Sequence, residues 1–157
     1  MGFQLQVKKM NILSIVIVLF VVLETLNVLM LYFTPGTRRG NGVGVFNAYE
    51  KSKSDPEVHA FVRYLINWVA GTKLIFILLL IVILLTGSRV TKIYSVIGLI
   101  LSILTFFWRL YPAVKTLDND NQITPKGYSR TLGMMIAGIL GVLSIALILF
   151  LVFQGVV

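Results

Sequence analysis

The chain has 157 residues, of which 57% are hydrophobic and 13% charged, and its mean hydropathy is +0.92. About a quarter of the residues in soluble domains are charged, so this composition excludes an ordinary soluble fold. The net charge of +8 does not indicate nucleic-acid binding, because the basic residues flank apolar runs and form no basic face of a soluble module. The absence of cysteine excludes disulfides, thiol nucleophiles and cysteine-based metal sites.

Four apolar segments are long enough to cross a membrane as helices, since one span needs about 20 mostly apolar residues. Four spans place both termini on one side, called side A, together with the tight turn at 86–89. The longer connections, 34–64 and 112–131, lie on the opposite side, called side B. The sequence therefore predicts an all-α integral membrane protein, a single domain over 1–157 that forms a four-transmembrane-helix bundle. The predicted spans are 11–33, 65–85, 93–111 and 132–153.

Two helices are predicted to begin on side B before they enter the membrane. Ser54-Asp55-Pro56-Glu57 offers a capping side chain, a proline suited to the first turn and an acid near the positive helix end. The pair Thr124-Pro125 offers a similar start for the fourth helix. Pro112, directly after Tyr111, is expected to end the third helix.

The basic residues on the two sides give conflicting indications of which side is cytoplasmic. Side B carries more Lys and Arg in total, but those on side A sit in short segments beside helix ends. Because Lys8 and Lys9 precede the first span, which often dominates orientation, we expect both termini in the cytoplasm. No Asn begins an N-glycosylation sequence, which favours a prokaryotic plasma membrane.

Two opposite charges lie at matching depth in the first two spans. Glu24 is eight residues inside Tyr32 and Lys73 is eight residues inside Leu65, so both lie about 12 Å from the side B surface. Consecutive helices tend to be antiparallel neighbours, and an ion pair would lower the cost of both charges. The pair is interpreted either as a polar site in which Glu24 takes up protons or as a structural pair. In a further interpretation, Lys73 reaches towards the headgroups.

Small and polar residues recur at helical spacing along the spans. On the third span a stripe of such residues ends in Arg109 and shares one face. The stripes are interpreted either as packing seams, because small residues let helices approach in lipid, or as the lining of a polar crevice with Arg109 at its mouth. The candidate ligand-binding or structural polar cluster is Glu24, Asn27, Asn67, Lys73 and Arg109, and the candidate packing residues are Gly98, Ser102, Gly133, Ala137 and Gly141.

Other motifs that resemble functional sites lack the residues those sites need. The glycine-rich segment 36–44 lacks the Gly-Lys-Ser/Thr ending of a phosphate loop. His59, the only histidine, has too few ligands near it for a metal site and is expected to be a solvated interfacial residue. Asp118 opens a segment similar to a calcium loop, but Ile123 and Ser129 stand where that loop needs Gly and Glu. No metal, cofactor or catalytic residue is predicted.

Three functions fit these features. Small size, packing stripes and an aromatic-rich side B favour an interaction or accessory subunit of a membrane assembly, with a protein partner or a second copy among membrane lipids. The alternative is a small transporter or binder of an amphiphilic, lipid-like ligand that uses the Glu24–Lys73 pair with Arg109 at the mouth. An intramembrane enzyme with Glu24 as base would lack a nucleophile or a metal, so the protein is not expected to be an enzyme.

Overall fold

A computed structural model describes residues 11–38 and 42–153. Within these ranges the chain folds into helices and the short turns that connect them, and no strand is formed beyond a single β-bridge. The elements in chain order are α1 (Ile12–Phe33), a 3-10 turn (Val43–Val45), α2 (Asn47–Ser52), α3 (Pro56–Thr86), α4 (Arg89–Thr105), a π-helical turn (Phe106–Leu110), α5 (Tyr111–Asn119) and α6 (Tyr128–Phe153).

Four helical segments of the described residues are long and apolar enough to cross a membrane. They are α1, α3, the continuous segment from α4 through α5, and α6. The start of α1 and the end of α6 lie together, because Leu13 and Phe150 belong to one buried cluster on side A. The predicted all-α four-helix membrane bundle, with its ends on one side, is therefore confirmed.

The side A half of the bundle is closed by contacts among all four spans. Its buried cluster takes side chains from each of the four spans, so all four pack together at this level. Leu13, Ile17 and Phe20 come from α1, Leu80 from α3, Val96 and Leu99 from α4, and Leu143, Ala146 and Phe150 from α6.

Towards side B the bundle divides into two packed halves. Val28 and Leu31 of α1 pack with Ile66 and Ala70 of α3 in one buried cluster. The start of α6 packs in a second cluster, with α5 and the two side B connections. Towards side B the buried side chains of α1 and of α6 therefore belong to different clusters. The second cluster contains Val45, Val114, Ile123, Tyr128 and Leu132.

The two side B connections are joined directly to each other. Phe46 and Ile123 form an isolated antiparallel β-bridge, and the Asn47 N–H donates to the Gln122 carbonyl over 2.9 Å. These bonds satisfy backbone groups that would otherwise be lost from water. They also fix the position of the second packed half relative to the first.

The start of α3 matches the prediction. Asp55 is the N-cap, its carboxylate accepts from the N–H groups of Glu57 and Val58, and Pro56 is the first helical residue. With 31 residues α3 is about 46 Å long, whereas the hydrocarbon core of a bilayer is about 30 Å thick. The first turns of α3 therefore project beyond the core on side B.

The predicted start of α6 at Thr124-Pro125 is wrong, because the helix begins at Tyr128. Its cap comes from a distant side chain. The Asp118 carboxylate, at the end of α5, accepts bonds from the Gly127 N–H, the Ser129 N–H and the Ser129 hydroxyl. Gly127 has φ +83°, a left-handed conformation outside the helical region that glycine adopts readily.

The predicted end of the third helix at Tyr111 is also wrong. Helix continues past Pro112 to Asn119, through a π-helical turn in which the Tyr111 N–H bonds to the Phe106 carbonyl. This turn resets the hydrogen-bond register and places Pro112 in the first turn of α5. A proline is tolerated there because the π-helical turn before it already interrupts the regular α-helical bonding.

Candidate functional site

The structure brings Glu24 of α1 and Lys73 of α3 into direct contact. Lys73 Nζ donates to Glu24 Oε2 over 2.6 Å. The Lys73 side chain is 27% exposed and the Glu24 side chain 23%, so Lys73 turns to the carboxylate and does not extend to the headgroups. A charge left alone at this depth would be costly, and the pair removes most of that cost.

A groove of about 480 Å³ lies between α1 and α6, next to this pair. Val16 and Leu143, which belong to the side A cluster, form the end of the groove nearest side A. Leu19, Leu26 and Met135 line it and are exposed, so the groove opens sideways on the bundle surface. Its volume is in the range of small-molecule sites in proteins.

The groove follows from the division of the bundle towards side B. α1 turns its buried side chains to α3, and α6 turns Leu132 to the cluster around α5, so neither fills the space between them. Gly138 of α6 lines the groove, and a Cβ atom added there would meet nothing within 4 Å. A larger side chain at this position would enter the groove.

Glu24 and Asn27 are the polar side chains among the described residues that line the groove. They lie three residues apart, on one face of α1. The Asn27 side-chain oxygen is buried and has no hydrogen-bond partner in the described part of the chain. Glu24 Oε2 is taken by Lys73, whereas Oε1 accepts no bond from a described residue. The groove is therefore an apolar space with one carboxylate and one amide side chain on its α1 wall.

Two members of the predicted polar cluster lie elsewhere. Arg109 is exposed, stands over the Trp108 ring with Cζ 4.9 Å from the centroid, and does not line the groove. Asn67 lines a separate cavity of about 20 Å³ with Tyr32 and Arg63, which is large enough for about one water molecule. The structure thus joins Glu24, Lys73 and Asn27 and separates them from Arg109 and Asn67.

The candidate packing residues fall into two groups, one buried in the bundle and one on its surface. Gly133 is buried against Tyr111, whose Cε2 would lie 2.8 Å from a Cβ atom added to the glycine. Gly98, Ser102 and Ala137 are exposed, and Gly141 is half-buried with nothing within 4 Å of an added Cβ atom. The exposed positions do not pack against another helix inside the bundle. The interpretation of these residues as packing seams within the bundle is therefore wrong.

The orientation of α4 explains this difference. Its buried side chains are Lys92, Val96 and Leu99, and these form the face that meets the core. Gly98 and Ser102 are offset from that face by about 100° around the helix, so they face outwards. Equal spacing within a stripe cannot distinguish an inward face from an outward one.

Lys92 is a buried polar residue that sequence reasoning counted only as a flanking charge. It is 8% exposed, and its Nζ donates to the Ser14 hydroxyl over 2.9 Å. That hydroxyl donates in turn to Asn11 Oδ1, which also caps α1. A lysine in the first turn of one span and a serine at the same depth in another are the signal that could have indicated this contact.

A serine and a histidine lie within hydrogen-bond distance on side B. Ser52 Oγ is 3.0 Å from His59 Nδ1, but the same hydroxyl donates its one proton to the Tyr49 carbonyl over 2.7 Å. With the hydroxyl proton on the Tyr49 carbonyl, the second bond is one that a protonated His59 Nδ1 donates to Ser52 Oγ. The contact joins α2 to α3.

The described residues contain no group of three or more His, Asp or Glu that could hold a metal ion. Comparison with protein-family models, with curated proteins and with solved structures finds no match to this chain. The groove lined by Glu24 and Asn27 is the concave site with polar side chains among the described residues that is large enough for a small molecule.

Proposed function

We propose that this protein binds an amphiphilic, lipid-like ligand in the groove between α1 and α6. The observation that carries the proposal is a lateral apolar groove with Glu24 and Asn27 on its wall. Ligand sites combine apolar surface, which supplies affinity, with a few polar groups that fix orientation. The proposed role is binding, as in a carrier or a small transporter, and includes no bond-making step.

The ion pair supports this proposal because it holds the Glu24 side chain, on the α1 wall of the groove, in one conformation. Lys73 donates to Glu24 Oε2, so the carboxylate is held in a fixed position on α1. A preorganised polar group loses little entropy when a ligand binds. In this role Lys73 positions Glu24. Arg109, which does not line the groove, has no part in the proposed site.

Photolabelling with a diazirine derivative of hexadecanol in lipid vesicles tests the proposal. Wild-type protein is expected to be labelled within residues 132–143, the part of α6 that lines the groove. Gly138→Phe fills the groove and should reduce this labelling at least about tenfold, the change that about 1.4 kcal/mol of lost affinity produces. Ala137→Phe is the matched control, because Ala137 is exposed and does not line the groove. Equal labelling of the two variants would contradict the proposal.

A second proposed function is that of an accessory subunit in a membrane assembly. It is favoured by the outward stripe on α4, where Gly98 and Ser102 leave a shallow polar surface in the part of the chain that faces lipid. Small and hydroxyl residues are enriched where membrane helices meet. Gly98→Phe should then release a protein that co-purifies with the wild type, whereas Leu101→Phe, also exposed, should not. Co-purification that is unchanged in Gly98→Phe would contradict this role.

We also propose a prokaryotic plasma membrane location with side A in the cytoplasm. The chain contains no cysteine, so single cysteines report topology without a background. With an impermeant maleimide on intact cells, Gln122→Cys on side B should react. Val90→Cys on side A should react only after permeabilisation. The reverse pattern would place side B in the cytoplasm.

A further inference from the structure

We propose that a recess between the side B ends of α1 and α3 binds the phosphate group of an anionic phospholipid. The recess is the cavity of about 20 Å³ that Tyr32, Arg63 and Asn67 line, and it is separate from the groove between α1 and α6. The inference does not depend on what the groove binds. It is drawn from the polar groups of the recess, its charge, its level in the membrane and its size.

Three side chains that carry hydrogen-bond donors meet at the recess. Arg63 and Asn67 are one turn apart on one face of α3, and Gly71 continues that face one turn deeper. The Tyr32 hydroxyl of α1 lies 3.7 Å from a Cβ atom added to Gly71, so the phenol lies against the same face. A guanidinium, an amide and a phenol can all donate to one group that is rich in oxygen.

The charge of the recess is positive and unpaired. Within residues 11–38 and 42–153, the side chains of Tyr32, Arg63 and Asn67 have no hydrogen-bond or ion-pair partner. The Arg63 guanidinium therefore keeps its full charge and its N–H donors for a ligand. Guanidinium groups pair with phosphate through two parallel hydrogen bonds, which makes a phosphate the best match for this cation.

The aromatic side chains beside the recess place it at the level of the lipid headgroups. Tyr64 and Trp68 are exposed and stack with their ring centroids 6.5 Å apart and an interplanar angle of 22°. Exposed Tyr and Trp of membrane helices collect at the boundary between hydrocarbon and water. Tyr64 follows Arg63 and Trp68 follows Asn67, so both polar side chains lie at this boundary, close to the lipid phosphates.

The size of the recess suits one oxygen atom and not a whole headgroup. It has room for about one water molecule, so one phosphate oxygen fits inside while the remainder of the lipid stays outside. Arg63 and Asn67 are exposed, so the other phosphate oxygens can reach them from the headgroup layer. A choline headgroup carries a cation beside its phosphate and weakens the pairing with Arg63, whereas a glycerol headgroup leaves the phosphate anionic.

Quenching of Trp68 fluorescence by brominated lipids in vesicles tests the proposal. Trp108→Phe leaves Trp68 as the single tryptophan of the chain. Because Trp68 adjoins Asn67, a lipid held at the recess has its acyl chains beside this ring. Phosphatidylglycerol brominated near the headgroup should quench at about one-fifth of the mole fraction that brominated phosphatidylcholine needs, the factor expected for one cation facing an anionic headgroup. A preference of this size leaves the lipid in exchange with the bilayer, unlike an amphiphile retained in the groove.

Arg63→Gln and Arg109→Gln separate the recess from the general charge of side B. Both remove one exposed Arg, but Arg109 does not line the recess. Arg63→Gln should bring the two lipids to within about twofold of each other, whereas Arg109→Gln should keep the preference. Equal losses in the two variants would contradict the proposal. Equal quenching by the two lipids with Arg63 intact would also contradict it, and that comparison decides the question even if Arg63→Gln does not fold.

The source of the phosphate and the independence of the two sites are tested in the same vesicles. An excess of inorganic phosphate is compared with chloride at equal ionic strength, so that screening is the same. An unchanged preference for phosphatidylglycerol supports a lipid headgroup, whereas its loss in phosphate alone would overturn the lipid source. Gly138→Phe should leave the preference unchanged, because Gly138 lines the groove and not the recess. A preference that Gly138→Phe removes would contradict a site at Arg63.

Discussion

Lys73 Nζ lies 2.6 Å from Glu24 Oε2, and this bond joins α3 to α1 beside the groove between α1 and α6. The pair therefore does two things. It satisfies both charges in an apolar setting, and it holds one wall of the groove in place.

Reversal of this pair tests the contact. Glu24→Lys or Lys73→Glu alone should lower the free energy of unfolding by about 1.5–3 kcal/mol, because each places two like charges side by side. The double variant should recover most of that loss, because the bond is restored with its direction reversed. Thermal unfolding in one detergent measures all three variants, and losses that simply add would show that the side chains do not interact.

The Lys92–Ser14 contact on side A gives an asymmetric prediction. Ser14→Ala leaves the buried ammonium without its hydroxyl acceptor and should destabilise the protein by about 1–3 kcal/mol. Lys92→Met keeps the apolar stem and removes the charge, so it should be nearly neutral or stabilising. Melting temperatures measure both. A larger loss in Lys92→Met than in Ser14→Ala would contradict this account of the contact.

The two glycines in the predicted seams should respond differently to alanine. Gly98→Ala meets open space and should gain up to about 1 kcal/mol from helix propensity. Gly133→Ala brings a Cβ atom to 2.8 Å from Tyr111 Cε2, so displacement of that ring should cancel the gain or reverse it. Unfolding of both variants under the same conditions measures the difference. An equal gain at both positions would mean that Tyr111 does not pack against Gly133.

The Asp118 carboxylate should be important for the start of α6. Asp118→Ala leaves the N–H groups of Gly127 and Ser129 without their acceptor and should cost about 1–3 kcal/mol. The loosened connection should also be cleaved faster by protease. Asp120→Ala is the control, since Asp120 is exposed and its side chain makes no hydrogen bond to a described residue. Equal effects of the two substitutions would exclude the capping role.

The spans and the ion pair could be predicted because they depend on composition and on position along one helix. Hydropathy defined the four segments. Equal depth from side B indicated that Glu24 and Lys73 could pair, with a Lys73 that reaches the headgroups as the alternative, and the structure has the pair. The cap at Asp55 was predictable for the same reason, because the cap and the N–H groups it binds are neighbours in sequence.

The groove could not be predicted, because it depends on which neighbours α1 and α6 pack against. The cluster around the start of α6 joins residues far apart in the chain, such as Val45 and Leu132. The cap of α6 by Asp118 is non-local in the same way. The stripe on α4 was assigned to the interior because periodicity fixes which residues share a face but not where that face points.

Native mass spectrometry of the intact protein, released gently from its own membrane, tests most directly the claim that the groove holds an amphiphile. The account predicts a retained small molecule on wild-type protein and on Ala137→Phe, and its loss from Gly138→Phe. Wild-type protein that carries no small molecule, or a molecule that Gly138→Phe retains equally, would contradict it. A stoichiometric second protein in place of the small molecule would support the accessory-subunit role.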